Sequence, residues 1–327
     1  MTRNVTLKSL SLCALLAASC AAAPVELWTA YTGWPTCYRQ PFLVKTSRAL
    51  LAFVEGRPGI AYCSGTSWPD SPDFPILLKR SFDSGATWEP DAINITRGNL
   101  DFLVAVYDAQ ADAVILLVQQ GDSGVVQTAS RDDGATWSAP AAPALVAPPE
   151  LASLIPGVGH GLQLSPRYCL DATCGGTAGR LIVPFVATLV GPVSNDTACG
   201  TCATALVASD DHGESWQLLA LSEQNGSREA ALAQLDSGAF GTMQAVVVAS
   251  ERNLGNATGS RLFALSTDGG VSFSRYGTAP LPDVVTGSKY SSALANDRKI
   301  FIANRICPSF SPVRRRLDGS RGGLCPH

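Results

Sequence analysis

One eight-residue pattern occurs four times in this chain and constrains its fold more than any other feature. The pattern is Ser-x-Asp-x-Gly-x-(Thr/Ser)-aromatic, and we call each copy a box. Boxes 1 to 4 are Ser81–Trp88, Ser130–Trp137, Ser209–Trp216 and Ser266–Phe273. The aspartate can accept hydrogen bonds from the backbone N–H groups of a tight turn, and the glycine can adopt the positive φ that the turn needs. Each box therefore predicts a hairpin turn that serves folding rather than catalysis, with its aromatic ring packed between the strands of one blade.

The spacing of the boxes indicates the architecture. They begin at residues 81, 130, 209 and 266, at intervals of 49, 79 and 57 residues. Short apolar runs bounded by Gly, Asp or Asn lie between them and predict β-strands. These runs are ALLAFVEG, AVILLVQQ, GRLIVPFVATLV, ATALVASD, MQAVVVAS, RLFALST and KIFIANR. An all-β chain with a repeat near fifty residues predicts a β-propeller with about four strands per blade. We expect the first blade to end at box 1, and the longest interval to hold an insertion between Cys169 and Cys202.

Composition sets the class of partner. The 327 residues are 46% hydrophobic and 16% charged, with a formal net charge of −3. This balance suits a globular protein with a large core and argues against a nucleic-acid partner, which requires a basic face.

The first 23 residues differ from the rest of the chain. Arg3 and Lys8 precede the apolar run LSLCALLAASCAAA, which is too short to span a bilayer. We predict a signal peptide over residues 1–23, with an uncleaved anchor as the alternative. A propeller is expected over residues 24–310, and an irregular Arg-rich tail over residues 311–327.

Sequons and cysteines agree with a secretory route. Four N-x-(Ser/Thr) sequons follow in turn-like surroundings, at Asn94, Asn195, Asn225 and Asn256. Cys13 and Cys20 lie in the signal segment, which leaves eight of the ten cysteines, an even number that predicts disulfides. A Cys199–Cys202 or Cys169–Cys174 bridge is favoured over a zinc site, since the chain has only three histidines. We expect a secreted or lumenal glycoprotein, lysosomal delivery included, with no membrane span after signal removal.

The four boxes resemble the Asp-boxes of the sialidase (neuraminidase) superfamily. The stretch from Tyr38 to Pro41, YRQP, is similar to the family's (Phe/Tyr)-Arg-Ile-Pro motif, with Gln40 in place of Ile. LLAFVEGR at 50–57 is similar to the family's Leu-Leu-Ala-Phe-x-Glu-x-Arg strand, and GVGHGLQ at 157–163 resembles a family loop near the site. The resemblance implies a six-bladed sialidase-type β-propeller. Only 54 residues follow box 4, so we expect an incomplete propeller with about five blades and without the final one.

The resemblance also implies an arginine cluster that holds the carboxylate of sialic acid. Arg39 matches the first of three family arginines, Arg252 the second, and Arg57 a further active-site arginine. Arg314 or Arg315 is expected to be the third, with a disordered basic tail as the alternative. A guanidinium stays charged and binds a carboxylate in a bidentate fashion. The alternative for Arg39 and Arg57 is a surface ion pair.

The acid, base and nucleophile are likewise implied by the resemblance. Asp70 matches the family's general acid, with Asp73 as the neighbouring option. Glu229 matches the glutamate that takes the proton of a tyrosine nucleophile, with a residue in an exposed turn as the alternative. Tyr290 has suitable neighbours, YSSAL, but it precedes the FIANR strand, whereas the family's tyrosine follows that strand. No cofactor or metal is implied.

These observations lead us to expect an exo-α-sialidase. It would release terminal sialic acid from glycoproteins, glycolipids or oligosaccharides with retention of configuration. The alternative is a non-catalytic Asp-box propeller that binds glycans or protein, or an inactive truncated sialidase. Linkage preference, trans-sialidase activity and oligomeric state do not follow from the sequence.

Overall fold

The computed structural model describes residues 25–29, 35–59, 74–98, 102–121, 124–190, 201–224, 226–253, 260–282, 291–296 and 299–304. Blade 1 comprises β1 (Cys37–Lys45), β2 (Leu50–Arg57), β3 (Phe74–Ser81) and β4 (Ile93–Gly98). Blade 2 comprises β5 (Leu103–Asp108), β6 (Ala113–Gln120) and β7 (Gly124–Ser130). The next strands are β8 (Ala144–Leu145), β9 (Leu151–Pro156), β10 (Val158–His160) and β11 (Leu162–Gln163).

The second half of the chain repeats the plan. Blade 3 comprises β12 (Leu181–Leu189), β13 (Cys202–Ser209) and β14 (Ser215–Leu221). β9 and β11 both pair with β12, on the side of β12 away from β13. Blade 4 comprises β15 (Ser227–Leu235), β16 (Val246–Asn253), β17 (Ser260–Ser266) and β18 (Arg275–Pro282). β19 (Ser291–Asn296) and β20 (Lys299–Asn304) form a two-stranded sheet beside β15. Each of the seven apolar runs contains a strand, so the predicted all-β chain of about five blade units is confirmed.

Apolar side chains of neighbouring blades meet to form the core. Phe53 and Leu78 of blade 1 pack with Leu103 and Leu116 of blade 2, and all four are fully buried. Equivalent clusters join blade 2 to blade 3 and blade 3 to blade 4. Each fully buried Leu or Phe contributes about 1.5–3 kcal/mol through removal of apolar surface from water. The blades are therefore held together mainly by this burial.

Three of the four boxes lie inside blades, whereas box 2 follows β7, the outermost strand that is described in blade 2. Box 1 joins β3 to β4, box 3 joins β13 to β14, and box 4 joins β17 to β18. The expectation that blade 1 ends at box 1 is therefore wrong, because β4 still pairs with β3 after the box.

Each box forms the predicted aspartate-centred turn. In box 1 the Asp83 carboxylate accepts hydrogen bonds from the Thr87 amide at 2.8 Å and from the Thr87 hydroxyl at 2.6 Å. The Ser81 hydroxyl donates to Asp83 at 2.9 Å and accepts from the Gly85 amide at 2.8 Å. Gly85 has a φ of 91°. The same four bonds recur in the other three boxes.

The aromatic rings of boxes 2 and 3 pack against the neighbouring blade, which corrects the prediction that the box rings pack within one blade. Trp137 of box 2 makes an edge-on contact with Phe53 of blade 1, at 6.2 Å between ring centroids. Trp216 of box 3 donates its indole N–H to Gln127 of blade 2 at 2.7 Å. Boxes 2 and 3 therefore both reach the preceding blade.

The predicted insertion of the long interval lies partly in residues 164–180, which connect β11 to β12. A disulfide joins Cys169 to Cys174 there, as one of the two favoured pairings requires. Cys37 and Cys202 are also disulfide-bonded, to cysteines outside the described residues. Along the described ranges, no helix is long and apolar enough to cross a membrane.

The structure tests the expectation for one of the four sequons. The surroundings of Asn94 had indicated a turn, but Asn94 lies in the outermost strand β4, where it is exposed. The other sequon asparagines, at 195, 225 and 256, lie outside the described residues, as do the proposed signal segment and the tail over 311–327.

The two ends of the ring differ in composition. At one end β1 begins and β2 ends, and we call it the site end. The boxes lie at the opposite end, the box end, because Ser81 of box 1 pairs with Leu50 at the start of β2. Residues 151–163 connect the two ends, and we call them the crossing segment. Their central strand, β10, leaves blade 3 and pairs in parallel with β5 of blade 2. β10 contacts both β1 and β15.

Candidate functional site

Blade 1 presents three charged side chains at the site end. In the antiparallel register Arg39 lies opposite Glu55, and Cys37 lies opposite Arg57. Directly opposed residues share one face of a sheet. Arg39, Glu55 and Arg57 therefore lie on the same face, so the structure brings two of the predicted arginines together. Arg39 is half-buried, as a residue that contacts a ligand needs to be.

Glu55 and Arg57 form a buried ion pair. The Arg57 Nε contacts Glu55 Oε1, and both side chains are essentially fully buried. The guanidinium also lies over the Phe74 ring, 5.2 Å from its centroid. A buried pair is stable only when each charge keeps its partner, so Glu55 fixes the position of Arg57. The alternative of a surface ion pair for Arg57 is wrong, because the pair is internal.

Sequence reasoning missed Glu55 as a functional residue. The signal was present, because Glu55 and Arg57 are two residues apart and so project from the same face of a strand. Gly56 between them has a packing reason, since a Cβ there would lie 2.4 Å from the Pro35 side chain. An isolated sequence does not show that the pair is buried, and burial is what makes the glutamate necessary.

The innermost strands of blades 1 and 4 carry the same irregularity. In β1 the pairing shifts between Arg39 and Phe42, and Gln40 has a φ of 56°. In β15 it shifts between Arg228 and Ala231, and Glu229 has a φ of 52°. Each is a β-bulge, in which two residues oppose one and the direction of a side chain changes.

A positive φ at a residue other than glycine is a strained conformation. It costs about 1–3 kcal/mol and is found preferentially at functional sites. Gln40 is fully buried and Glu229 is 5% exposed, so the alternative of an exposed turn at Glu229 is wrong. The two bulges lie on strands that β10 contacts from both sides. The candidate site is thus the site end of the channel between β1 and β15, with the crossing segment between them.

Several predicted residues are placed only partly. The backbone of Arg252 lies in β16 opposite Arg228, at the site end beside the Glu229 bulge. Its side chain is outside what the structure describes. Asp70, its alternative Asp73, and Tyr290 lie outside the described residues, and so do Arg314 and Arg315.

A cavity of about 1060 Å³ lies between β1 and the end of the crossing segment. Its wall includes Lys45, Tyr107, His160 and Gln163, which lie toward the box end. Arg39, Glu55, Arg57 and Glu229 do not line it. Among the side chains that the structure describes, no group of three or more His, Cys, Asp or Glu residues could hold a metal ion.

A series of packed β-sheet blades that carry aspartate boxes in their turns is a β-propeller of the Asp-box class. A family model described as a BNR repeat-like domain matches residues 123–318, more than half of the chain. Human Sialidase-4 is 30% identical over 201 residues, which are 58% of this chain and 37% of that protein. The chain belongs to the BNR repeat-like family within the sialidase superfamily.

Solved structures show the same fold. Trypanosoma rangeli sialidase matches with a TM-score of 0.53 at 17% identity, over 79% of this chain and 42% of that one. A structure of that sialidase in complex with sialic acid matches with a TM-score of 0.52 at 16% identity, over 81% of this chain and 42% of that one. Hadza microbial sialidase Hz136 matches with a TM-score of 0.50 at 16% identity, over 82% and 63%. The sialidase-type propeller is confirmed, and this chain spans 37–63% of the length of these relatives.

Proposed function

We propose that this protein is an exo-α-sialidase that hydrolyses terminal sialic acid from glycoconjugates with retention of configuration. The observation that carries the proposal is the pair of bulges in β1 and β15, which coincide with the predicted residues Arg39 and Glu229. Family membership supports the substrate class, since a relative has been crystallised with sialic acid.

The arginines would bind the substrate carboxylate. Sialic acid carries this group on its anomeric carbon, so the clamp also fixes the reacting centre. Arg39, Arg252 and Arg314 or Arg315 would supply the guanidinium groups, because several fixed positive charges hold an anion in one orientation. Arg57 is fully buried against Glu55, so it would support the face of blade 1 that carries Arg39 and would not contact the substrate directly.

The reaction would proceed in two steps. Glu229 accepts the phenolic proton of a tyrosine, whose oxygen bonds to the anomeric carbon while the bond to the leaving oxygen breaks and Asp70 protonates that oxygen. Water then attacks the anomeric carbon, Asp70 takes a proton from the water, and the tyrosine regains its proton from Glu229. Two inversions give net retention. Tyr290 is the residue that the sequence offers for the nucleophile.

A leaving-group comparison tests the acid. Purified full-length protein is assayed with sialyllactose and with an aryl sialoside, whose phenol leaves without much protonation. We expect Asp70→Asn to lower turnover of sialyllactose about 10²–10⁴-fold and that of the aryl sialoside much less. Asp91→Asn, at an exposed position after box 1, is the control and leaves both rates unchanged.

The outcomes of this assay separate the candidates. A selective loss in Asp73→Asn would transfer the role to Asp73. A wild-type protein that binds sialic acid without turnover would contradict the hydrolase and favour a glycan-binding propeller.

We also propose that the protein is secreted or lumenal, the lysosome included. The disulfide-bonded cysteines, among them the Cys169–Cys174 pair, support an oxidising compartment, and the exposed Asn94 can accept a glycan. Glycopeptide analysis of protein from a eukaryotic secretory host tests this. Unmodified Asn94, Asn195, Asn225 and Asn256 together with reduced cysteines would contradict it.

A further inference from the structure

Asp108 is a fully buried carboxylate at the last position of β5, at the box end of blade 2. The charged residues of the site end lie at the opposite end of blade 1. Its Oδ1 accepts hydrogen bonds from the amides of Gln110 at 2.9 Å and Ala111 at 3.1 Å, and from Gln163 Nε2 at 2.7 Å. Its Oδ2 contacts His212 Nδ1 at 2.6 Å. Burial by itself raises the pKa of Asp108, but the hydrogen bonds, that of His212 first, outweigh it and hold this pKa below its usual value. The group is therefore a carboxylate at neutral pH.

The donors come from three separate parts of the fold. Gln110 and Ala111 belong to the turn between β5 and β6 of blade 2. His212 occupies the fourth position of box 3 in blade 3, with a φ of 62°. Gln163 ends the crossing segment. One carboxylate thus joins a turn, a box and the strand that runs through the channel.

Gln163 uses both ends of its amide for this connection. Its Oε1 accepts from the Ala109 amide at 2.8 Å, and its Nε2 also donates to the Gly179 carbonyl at 3.1 Å. The end of the crossing segment is therefore bonded to blade 2 by side chains as well as by backbone. Earlier in the segment the Gly161 amide donates to the Ala105 carbonyl at 2.8 Å.

The crossing segment has little freedom to shift sideways. A Cβ at Gly157 would lie 2.6 Å from the Pro184 carbonyl oxygen, and one at Gly161 would lie 2.5 Å from that of Ile182. Such close backbone approach means that a small displacement produces either a clash or a gap. Because β10 contacts β1 and β15, a displacement there would reach the strands that carry Arg39 and Glu229.

We propose that Asp108 is a positioning residue for the candidate site, acting through Gln163 on the crossing segment that separates β1 from β15. The proposal rests on the proposed sialidase function for its kinetic consequence, but not for its structural one. When the carboxylate is replaced, the segment end loses a charge-assisted hydrogen bond in a buried place. The segment then moves within the channel, and the distance between the bulge in β1 and the bulge in β15 is no longer fixed.

The test compares two aspartates of the same turn. Asp108→Asn removes the charge that Gln163 and His212 bind. Asp112→Asn is the matched control, because Asp112 instead accepts from Tyr107 at 2.7 Å and from Arg48 at 2.9 Å. Gln163→Leu removes the connection from the other side. His212→Asn serves if Asp108→Asn does not fold, since asparagine tolerates a positive φ.

The readouts are amide hydrogen exchange over residues 157–164 and the kinetics of sialyllactose hydrolysis. We expect Asp108→Asn and Gln163→Leu to speed exchange in that segment at least tenfold and to raise KM at least fivefold. Asp112→Asn is expected to change neither by more than twofold. A purely structural role would lower the active fraction, and hence kcat, with KM unchanged.

Two results separate this inference from the proposed function. Unchanged exchange over 157–164 in Asp108→Asn, or an unchanged KM in an active enzyme, would overturn the positioning role. A wild-type protein without turnover would contradict the sialidase proposal alone, and the exchange data together with sialic acid binding, followed by ligand NMR, would still decide the role of Asp108.

Discussion

Single residues at the site end show why burial matters more than charge count. Glu55 and Arg57 are enclosed between β1, β3 and Phe74, whereas Arg80 and Glu89 form an ion pair of similar type near the surface. Removing one partner of a buried pair weakens the compensation of the other charge at a place where water cannot replace it. The surface pair can exchange its partner for water.

We predict that Glu55→Gln lowers the free energy of unfolding by about 3–5 kcal/mol. Glu89→Gln, the control, is expected to lower it by less than about 1 kcal/mol. Urea denaturation followed by tryptophan fluorescence measures both. Equal losses in the two variants would show that the Glu55–Arg57 pair is not a buried, dry contact.

Only some of the candidate site residues could be predicted from the sequence. Arg39 and Arg57 were found from motif spacing, and the antiparallel register then placed them on one face. The bulge at Glu229 could not be predicted, because one inserted residue in a strand leaves no period in the sequence. Glu55 was overlooked because a glutamate in an apolar run looks like an exposed strand residue until its neighbours are known.

At the scale of elements, the box is a unit that joins two blades. The glycine of box 2, Gly134, has a φ of 81°, and a Cβ there would lie 2.5 Å from the Leu78 side chain of blade 1. Gly213 of box 3 stands in the same relation to Ile115 of blade 2, at 2.4 Å. The glycine therefore serves both the turn and the packing against the preceding blade.

We predict that Gly134→Ala destabilises the protein by about 2–4 kcal/mol, from overpacking added to the strain of a positive φ. Gly121→Ala is the matched control. Gly121 has a φ of 64° but open space where its Cβ would lie, so only the strain of about 1 kcal/mol is expected. Thermal unfolding of both variants measures the difference, and equal midpoints would mean that the box does not pack on blade 1 as described.

The box aspartates also couple stability to pH. Hydrogen bonds from the Thr87 hydroxyl and amide, and then from the Ser81 hydroxyl, lower the pKa of Asp83 to about 2. An aspartate whose pKa is lower in the folded protein stabilises the fold above its unfolded pKa of about 3.9, and this contribution is lost as the pH falls toward 2. We predict that Asp83→Asn lowers the Tm at pH 6 and makes the Tm fall less than that of the wild type between pH 4.5 and 2.5. In Asp91→Asn the pH dependence should match the wild type, and a wild-type slope in Asp83→Asn as well would contradict this role.

At the scale of the whole molecule, the sequence predicted the architecture well and the contacts between blades poorly. The box repeat and the apolar runs were sufficient for an all-β propeller, because both are local patterns of a few residues. The packing of Trp137 on Phe53, and the bond of His212 to Asp108, depend on residues far apart in the chain. Such contacts follow from ring geometry, which no single blade contains.

Ring geometry also explains how a site can form from distant segments. Arg39 and Glu229 lie on different blades, and the crossing segment touches both of their strands. The first residues of the innermost strands β1 and β15 lie at the site end, and the hairpin turns of the boxes lie at the box end. Chemistry and folding motifs are thereby separated along the channel axis, so variants in the boxes should affect stability before they affect catalysis.

The most direct test is to identify the anomer of sialic acid that the full-length protein releases first. Proton NMR follows the hydrolysis of sialyllactose from the first minutes, with Glu229→Gln measured in parallel. The account predicts that the α-anomer appears first and only later converts to the β-anomer, and that Glu229→Gln releases at least a hundredfold less. Initial release of the β-anomer, or wild-type release that is unaffected by Glu229→Gln, would contradict it.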